Sequence, residues 1–477
     1  MSTLLTVAIL GVVALAVGSV LLKHPEWAVV GLCLISPVGL LSRGGLLYVG
    51  AAQVITVVAM GVIAVMIASR WSAGEQPFPP IALSGAILFW TLSVLASIVL
   101  SPYPADAALF GMWLIVSGLL ALAVPGIVDT RKRLLPVIHA WLISAIVIVA
   151  AGPFIKAPTP AQEGEAEAAY GGAVIVGRAT SVFGQPNEYG VYCMMLLMVA
   201  IAMVIRAQGW LRLVAAIATV ATLTGLVQSY SRGAWIGAIV GLVVLIVIEP
   251  RARKPVIGTG LAVVAGLVAY AAVVPANPTI DLITSRFDSI INPAANPFDE
   301  RPVIVAEGVR QFTAFPWFGV GPNAFSIEGA TRRSLEQTVG GVHAHNTVLT
   351  VAAEQGLFGV AAMMAIMAVV VVTCIPVLPI VVRRMSDGRD SGGDWVSAVL
   401  VGSVAALSAI MVSGMVDAPL RNALMRTTLW FTVGMAVAAG EILRRHGSGT
   451  EPSGVTAMEK VGTPDVSPEM SSRLTGN

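Results

Sequence analysis

The residues best suited to chemistry are two histidines that stand two positions apart, His343 and His345, directly before an apolar run that begins at Thr347. Asn346 and Thr347 are placed where a helix would begin, and the positive end of a helix disfavours a protonated imidazole. A neutral imidazole accepts a proton at physiological pH, so His345 is the candidate general base. The simpler interpretation is a solvated loop whose polar side chains only cap the helix.

Three arginines occupy positions where a membrane protein normally has few. Arg178 and Arg301 lie in polar segments, and Arg232 lies in a short turn between two apolar stretches. Guanidinium groups bind phosphate through paired hydrogen bonds and stay charged at any working pH, so the three together favour a phosphate site. A single arginine of this kind would more often reach to lipid headgroups or pair with a carboxylate such as Glu188 or Asp417.

A His-x-His pair can also bind a metal ion, but the usual metal-ligand signatures are missing. The sequence contains no His-x-x-x-His pair and no cysteines at ligand spacing, so catalysis without a metal is the stronger hypothesis. The motif GVGPN at 319–323 predicts a turn and not a nucleotide-binding loop, because no Lys-Ser/Thr follows it. The acidic residues nearby that would have to complete a metal site are Asp281, Asp288, Asp299 and Glu300.

The composition identifies the class of protein that carries these residues. Of 477 residues, 56% are hydrophobic and 11% are charged, with a mean hydropathy of +0.86, which is typical of a polytopic membrane protein. A net charge of +2 gives no reason to expect nucleic acid as a partner. Cys33, Cys193 and Cys374 lie far apart in apolar segments and are predicted to be buried free thiols.

Hydropathy predicts an all-α polytopic membrane protein with about twelve transmembrane helices, since a bilayer core needs roughly 20 apolar residues per helix. The predicted parts are N-terminal transmembrane helices over 1–274, a large outer loop over 275–346, C-terminal transmembrane helices over 347–445 and a disordered cytoplasmic tail over 446–477. The predicted spans lie near 4–22, 52–68, 81–100, 107–124, 135–152, 188–205, 213–228, 234–248, 256–274, 347–382, 395–415 and 424–440.

Basic residues in short loops predict the orientation, because such loops face the cytoplasm. Alternate loops carry clusters of arginine and lysine, and the remaining loops, which contain the histidines and the three candidate arginines, then face outward. Whether the short apolar piece 27–41 also crosses the membrane is left open by its Pro37. The basic clusters are Arg131–Arg133, Arg206 with Arg212, Arg251–Lys254, Arg383 with Arg384, and Arg444 with Arg445.

Local patterns predict the elements around the histidines. Arg301-Pro302 suits the start of a helix, because the missing N–H of proline would be unpaired there, and Phe315-Pro316 ends the same run. The apolar run 347–382 is long for one span, so we expect a tilted helix or first turns outside the hydrocarbon. We expect the His343 side chain to point away from His345 along the loop.

Four of these segments resemble the O-antigen ligase and polymerase superfamily of bacterial membrane glycosyltransferases. They are GRATSVFGQPNEYG, SYSRGAWIG, the run from RP through GVRQF to PWFGVGPNAF, and HAHNTVLTVAAEQGLFG. The resemblance covers about 175–360, and the order and spacing of the motifs carry it more than any single motif. It implies a GT-C-like helical membrane fold with one large periplasmic loop.

The resemblance also implies an activity and roles for residues. The donor would be a glycan linked to undecaprenyl diphosphate, and the acceptor a hydroxyl of a glycolipid such as lipid A–core or of another glycan. Transfer would occur at the periplasmic face of the inner membrane without a metal or other cofactor. By motif, Arg232 and Arg301 match diphosphate-binding arginines and His345 the essential histidine, with Arg178 and His343 as further substrate-binding residues.

Other functions stay open at the level of sequence. A polymerase of the same superfamily, which joins repeat units, has the same motifs as a ligase. A transporter of an anionic solute would line its path with the same arginines, but the predicted spans carry almost no ionisable residues at mid-depth and no inverted repeat. A non-catalytic scaffold of envelope assembly would tolerate replacement of Arg232 and His345.

Overall fold

A computed structural model describes residues 17–38, 51–79, 81–154, 178–273, 301–331, 343–377 and 395–447. Within these ranges every regular element is helical. The α-helices are α1 Val17–Lys23, α2 Glu26–Ile35, α3 Ala51–Ser72, α4 Ala82–Leu100, α5 Pro104–Ile127, α6 Arg131–Ala151, α7 Pro186–Arg206, α8 Gly209–Gln228, α9 Arg232–Ile248, α10 Arg253–Val273, α11 Arg301–Ala314, α12 Phe325–Thr331, α13 Thr347–Cys374, α14 Trp395–Ser413 and α15 Ala423–Gly447.

Eight of the described helices are long and apolar enough to cross a membrane, namely α3 to α8, α13 and α14. Two further pairs, α1 with α2 and α9 with the helix after it, are bent by 117° and 118°, and counting each pair as one span gives ten. The all-helical membrane architecture is therefore confirmed. The count of twelve stays a prediction, since most of 4–22 lies outside the described residues, as does most of the predicted loop 275–346.

The most buried helices, α7 and α14, form the centre of the structure, and α9 packs closely on them. Two glycines of α9 make this approach possible. A Cβ at Gly237 would lie 2.7 Å from the carbonyl oxygen of Ala409, and one at Gly241 would lie 2.7 Å from the sulfur of Met198. Small residues are the usual way in which membrane helices come close enough to gain packing energy.

Basic residues predicted to face the cytoplasm are grouped in the described part of the structure, whereas Arg383 and Arg384 lie outside the described residues. One pocket is lined by Arg70 near the end of α3, Asp129 in the loop after α5 and Arg444 near the end of α15. The ends of α7 and α9 are joined by a buried ion pair between Arg206 and Glu249. This grouping of the basic loops agrees with a single cytoplasmic face, and the side of the membrane stays a prediction.

Helix α13 is broken at Gly356, whose φ of 67° and ψ of −163° are not helical. A Cβ there would lie 2.3 Å from the carbonyl of Trp317, and the freed N–H of Leu357 donates to the Pro316 carbonyl over 2.8 Å. The long run from 347 is therefore broken after its first turns, and the expectation that these turns lie outside the hydrocarbon, or that the helix tilts, stays a prediction. Its first part, 347–355, packs against α11, and the rest continues as a separate helix.

Helix α11 has the predicted start and a polar anchor. It begins at Arg301 and ends at Ala314, as Arg301-Pro302 at the start and Phe315-Pro316 at the end predicted. Its buried Glu307 accepts two hydrogen bonds from Arg310, and the same arginine reaches the buried Glu328 of α12. Tyr103, just before α5, donates to Glu328 over 2.9 Å. These bonds hold α11 and α12 against the membrane helices.

The three cysteines are buried and free, as predicted.

Candidate active site

The loop that carries the histidines is fixed to the turn after α14. Asn346 caps α13 by accepting a hydrogen bond from the Leu349 N–H over 2.9 Å, and its amide donates to the Met415 carbonyl over 3.1 Å. The Thr347 N–H donates to the Gly414 carbonyl over 2.6 Å. His345 itself has a φ of 49°, a left-handed conformation that costs energy in residues other than glycine. The surrounding contacts therefore hold His345 in one strained position.

His343 and His345 come together with Asp417, and this carboxylate lies between them. The imidazole ring centres are 4.6 Å apart. Nε2 of His343 and Nδ1 of His345 each lie 3.6 Å from Oδ1 of Asp417, which is ion-pair range but longer than a normal hydrogen bond. The prediction that the His343 side chain points away along the loop is therefore wrong, because both imidazoles turn toward the same carboxylate.

The Asp417 carboxylate is held in its charged form. Burial by itself would raise the pKa of this carboxyl. The interactions with His343 and His345 lower the pKa by more than burial raises it, so the pKa lies well below its usual range. Oδ1 also accepts a hydrogen bond from the Ala418 N–H over 2.8 Å, and the Asp417 carbonyl accepts one from the Thr347 hydroxyl over 3.2 Å. The turn thus presents one fixed negative charge to the two imidazoles.

Arg232 begins α9 beside this turn. Ser231 caps the helix, and a Cβ added to Gly233 would lie 2.8 Å from the Val416 side chain. The backbone next to Arg232 is therefore packed on the turn that ends in Asp417. A helix N-terminus and an arginine at one place favour an anion there. The structure thus brings Arg232 to the same end of the molecule as the histidines.

Arg178 supports the turn that precedes Arg232. Its Nε donates to the Ser229 carbonyl over 2.8 Å, and one of its terminal nitrogens donates to Oδ1 of Asn187 over 2.7 Å. The backbone follows the same path, since the Ala179 N–H donates to the Gln228 carbonyl over 3.0 Å. Arg178 therefore adds positive charge near Arg232 but already uses two of its donors within the protein.

Arg301 is the first residue of α11, and its side chain lies outside the described part of the structure. The helix that it begins packs on the histidine loop. Ile304, one turn later, belongs to a buried cluster with Ala344 and Phe325, and a Cβ at Gly308 would lie 3.1 Å from the Ala344 side chain. The backbone of Arg301 therefore lies one helical turn from Ile304, which packs in the same buried cluster as Ala344, the residue between the two histidines.

Two residues in this region escaped the sequence interpretation. Glu354 lies within the apolar run of α13, is almost fully buried and accepts a hydrogen bond from Arg421. Arg426 of α15 is 1% exposed, donates to the Ser117 hydroxyl over 3.2 Å and lies over the Phe110 ring at 5.0 Å. Ionisable residues within apolar runs commonly mark functional sites, and this signal was available in the sequence.

An apolar cleft opens beside the histidine loop. Thr347 lies at one edge of it, and Arg421 and Arg426 also line it. Helix α14 contacts both regions, because its Ala409 faces α9, the helix that begins at Arg232, and its Ile410 lines the cleft. The apolar lining includes Trp90, Phe110, Leu114, Met367 and Trp430.

Fold and site together define a polytopic membrane protein with a polar centre at one end of its helices and an apolar cleft beside it. Residues 217–364 match the family described as O-Antigen ligase. This match supports the resemblance to the O-antigen ligase and polymerase superfamily, whose members are membrane glycosyltransferases. Arg232, Arg301, His343 and His345 lie inside the matched range. No curated protein matches the chain.

Proposed function

We propose that this chain is an O-antigen ligase-type glycosyltransferase, acting at the periplasmic face of the bacterial inner membrane. It transfers a glycan from undecaprenyl diphosphate to a hydroxyl of an acceptor such as lipid A–core. The contact between His345 and Asp417 carries this proposal, because it gives a histidine at a helix start the orienting partner that a general base needs.

The proton transfer is assigned to His345. Asp417 faces Nδ1 of this imidazole, which favours the tautomer with the proton on Nδ1 and leaves Nε2 to accept the proton of the acceptor hydroxyl. The side chain is 29% exposed, so a substrate can reach it. A positioned base of this kind typically contributes about 10²–10⁴ in rate.

The arginines serve the leaving group. Departure of the lipid diphosphate builds negative charge on its bridging oxygen, and guanidinium groups already in place stabilise that charge without reorganisation, worth several kcal/mol of the barrier. Arg232 and Arg301 are assigned this role, with Arg178 supporting the turn before Arg232. A single direct displacement by the acceptor hydroxyl inverts the anomeric centre. No metal is required, since the arginines supply the charge.

The apolar cleft supports a lipid-linked substrate. A chain of prenyl units entering between Trp90 and Trp430 would remain in contact with apolar side chains while its head approached Thr347 and the histidine loop. Arg421 and Arg426 line the same cleft, and Glu354, which pairs with Arg421, lines it too. The charge of Arg426 then favours an anionic head over a neutral one.

The experiment that tests this function is deletion of the gene followed by gel separation of the envelope glycolipids. A ligase predicts that polymer is still made but is missing from the glycolipid anchor. Loss of long polymer itself would instead indicate a polymerase. Complementation with His345→Ala should not restore the wild-type profile, whereas complementation with His139→Ala, a histidine within α6, should restore it. An unchanged profile in the deletion strain would contradict the proposal.

A further inference from the structure

The imidazoles of the candidate active site have unused binding capacity. Both ring nitrogens of His343 and Nδ1 of His345 are buried, and none of these three atoms has a hydrogen-bond partner in the structure. Buried polar atoms in proteins are almost always satisfied, so three such atoms at one place are unusual. Neutral imidazole nitrogens are also the commonest protein ligands of transition metals.

The spacing of the cluster fits a metal ion. One ligand atom from each of His343, His345 and Asp417 lies within 4.8 Å of the other two, and Oδ1 of Asp417 is 3.6 Å from each of the facing imidazole nitrogens. Ligands bound to Zn²⁺ at about 2.0–2.1 Å in a tetrahedron lie about 3.4 Å from one another. Small movements of the side chains would therefore complete three positions and leave the fourth open.

We propose that His343, His345 and Asp417 form a binding site for a divalent transition-metal ion of the Zn²⁺ class, and that the ion inhibits the enzyme. The ion would take the Nδ1 lone pair of His345. The proton of that imidazole must then sit on Nε2, which can no longer accept the proton of an acceptor hydroxyl. Binding of the ion is independent of the proposed function, whereas the inhibition rests on His345 as the base of that function.

The binding is tested on the purified full-length protein in detergent, with Co²⁺ as a probe whose visible absorption reports its coordination. We expect saturable binding of one Co²⁺ per chain with a spectrum of nitrogen and oxygen ligands. His343→Ala and Asp417→Ala should each weaken the affinity by about tenfold or more. The double variant His24→Ala/His139→Ala removes two histidines outside the site and should bind as the wild type does. Equal affinity in all four proteins would overturn the site.

The inhibition is tested separately with a lipid-diphosphate donor. Zn²⁺ should lower wild-type transfer, EDTA should restore it, and the residual transfer of His343→Ala should respond to Zn²⁺ only at concentrations about tenfold higher or more. Co²⁺ binding without any inhibition would contradict His345 as the base and leave the metal site standing. Loss of activity in EDTA that Zn²⁺ restores would overturn the inhibitory role, because the ion would then be a cofactor.

Discussion

Nδ1 of His345 lies 3.6 Å from Oδ1 of Asp417, although two membrane helices, α13 and α14, separate these residues along the chain. The contact forms because the loop before α13 is hydrogen-bonded to the turn after α14, through Thr347 and Gly414. A base and its orienting carboxylate are thus supplied by opposite ends of a pair of helices. Movement between α13 and α14 would separate them.

The first prediction concerns the two histidines. His345→Ala should lower the transfer rate by about 10²–10⁴, because the general base is lost. It should still bind the lipid-linked donor, since the arginines remain. His343→Ala should lose less, because His343 lies further from the start of α13. Transfer rate and donor binding are measured on the purified variants, and wild-type turnover in His345→Ala would show that another residue is the base.

The second prediction concerns Asp417. Asp417→Asn keeps the size of the side chain and removes the charge that orients His345. The transfer rate should therefore fall by about 10²-fold. This is less than the ~10⁴-fold loss in a catalytic triad, because the carboxylate of a triad lies closer to its histidine. Because the pKa of Asp417 lies well below its usual range, this carboxylate stays ionised from roughly pH 5 to 8 and its own titration should not change the rate there. A wild-type rate in Asp417→Asn would contradict the orienting role.

The third prediction concerns the arginines. Arg232→Lys and Arg301→Lys should each lower transfer strongly while the protein remains in the membrane, because an ammonium lacks the planar fork that binds phosphate at two points. Arg212→Lys is the matched control, since Arg212 is exposed and lies in the first turn of α8, at an end predicted to face the cytoplasm. Full activity in both test variants would mean that these arginines only anchor the protein at the lipid surface.

The fourth prediction concerns the break in α13. Gly356→Ala forces a residue with a Cβ into a φ of 67° and places that Cβ 2.3 Å from the Trp317 backbone. We expect a loss of about 1–3 kcal/mol in the free energy of unfolding, measured by thermal or denaturant unfolding in detergent. Gly61→Ala in α3 is the control, because no atom lies within 4 Å of its added Cβ. Equal stability of the two variants would show that the break is not required.

The fifth prediction concerns orientation in the membrane. Ala314 at the end of α11 and Ala73 after α3 are both exposed, so each is suited to a single Cys substitution. The native cysteines are buried and should not react with a thiol reagent. An impermeant thiol reagent added to cells with a permeabilised outer membrane should label Ala314→Cys and not Ala73→Cys. The reverse pattern would place the candidate active site in the cytoplasm and exclude the proposed function.

The sequence by itself determined the features that depend on one stretch of chain. A bilayer span is a sum of hydropathy over about 20 residues, so most of the membrane helices follow from composition alone. Arg301-Pro302 and Asn346 marked the starts of α11 and α13 for equally local reasons, since each helix end must satisfy its own N–H groups. The residues predicted to act on the substrate remain predictions.

Only the tertiary structure decided which of these residues meet. Nothing local to His345 names Asp417, because their contact depends on how α13 and α14 pack and on the hydrogen bond from Thr347 to Gly414. The direction of His343 was predicted wrongly for the same reason, since the carboxylate toward which it turns comes from a distant turn. The break at Gly356 also follows from the approach of Trp317, a steric condition that hydropathy does not contain.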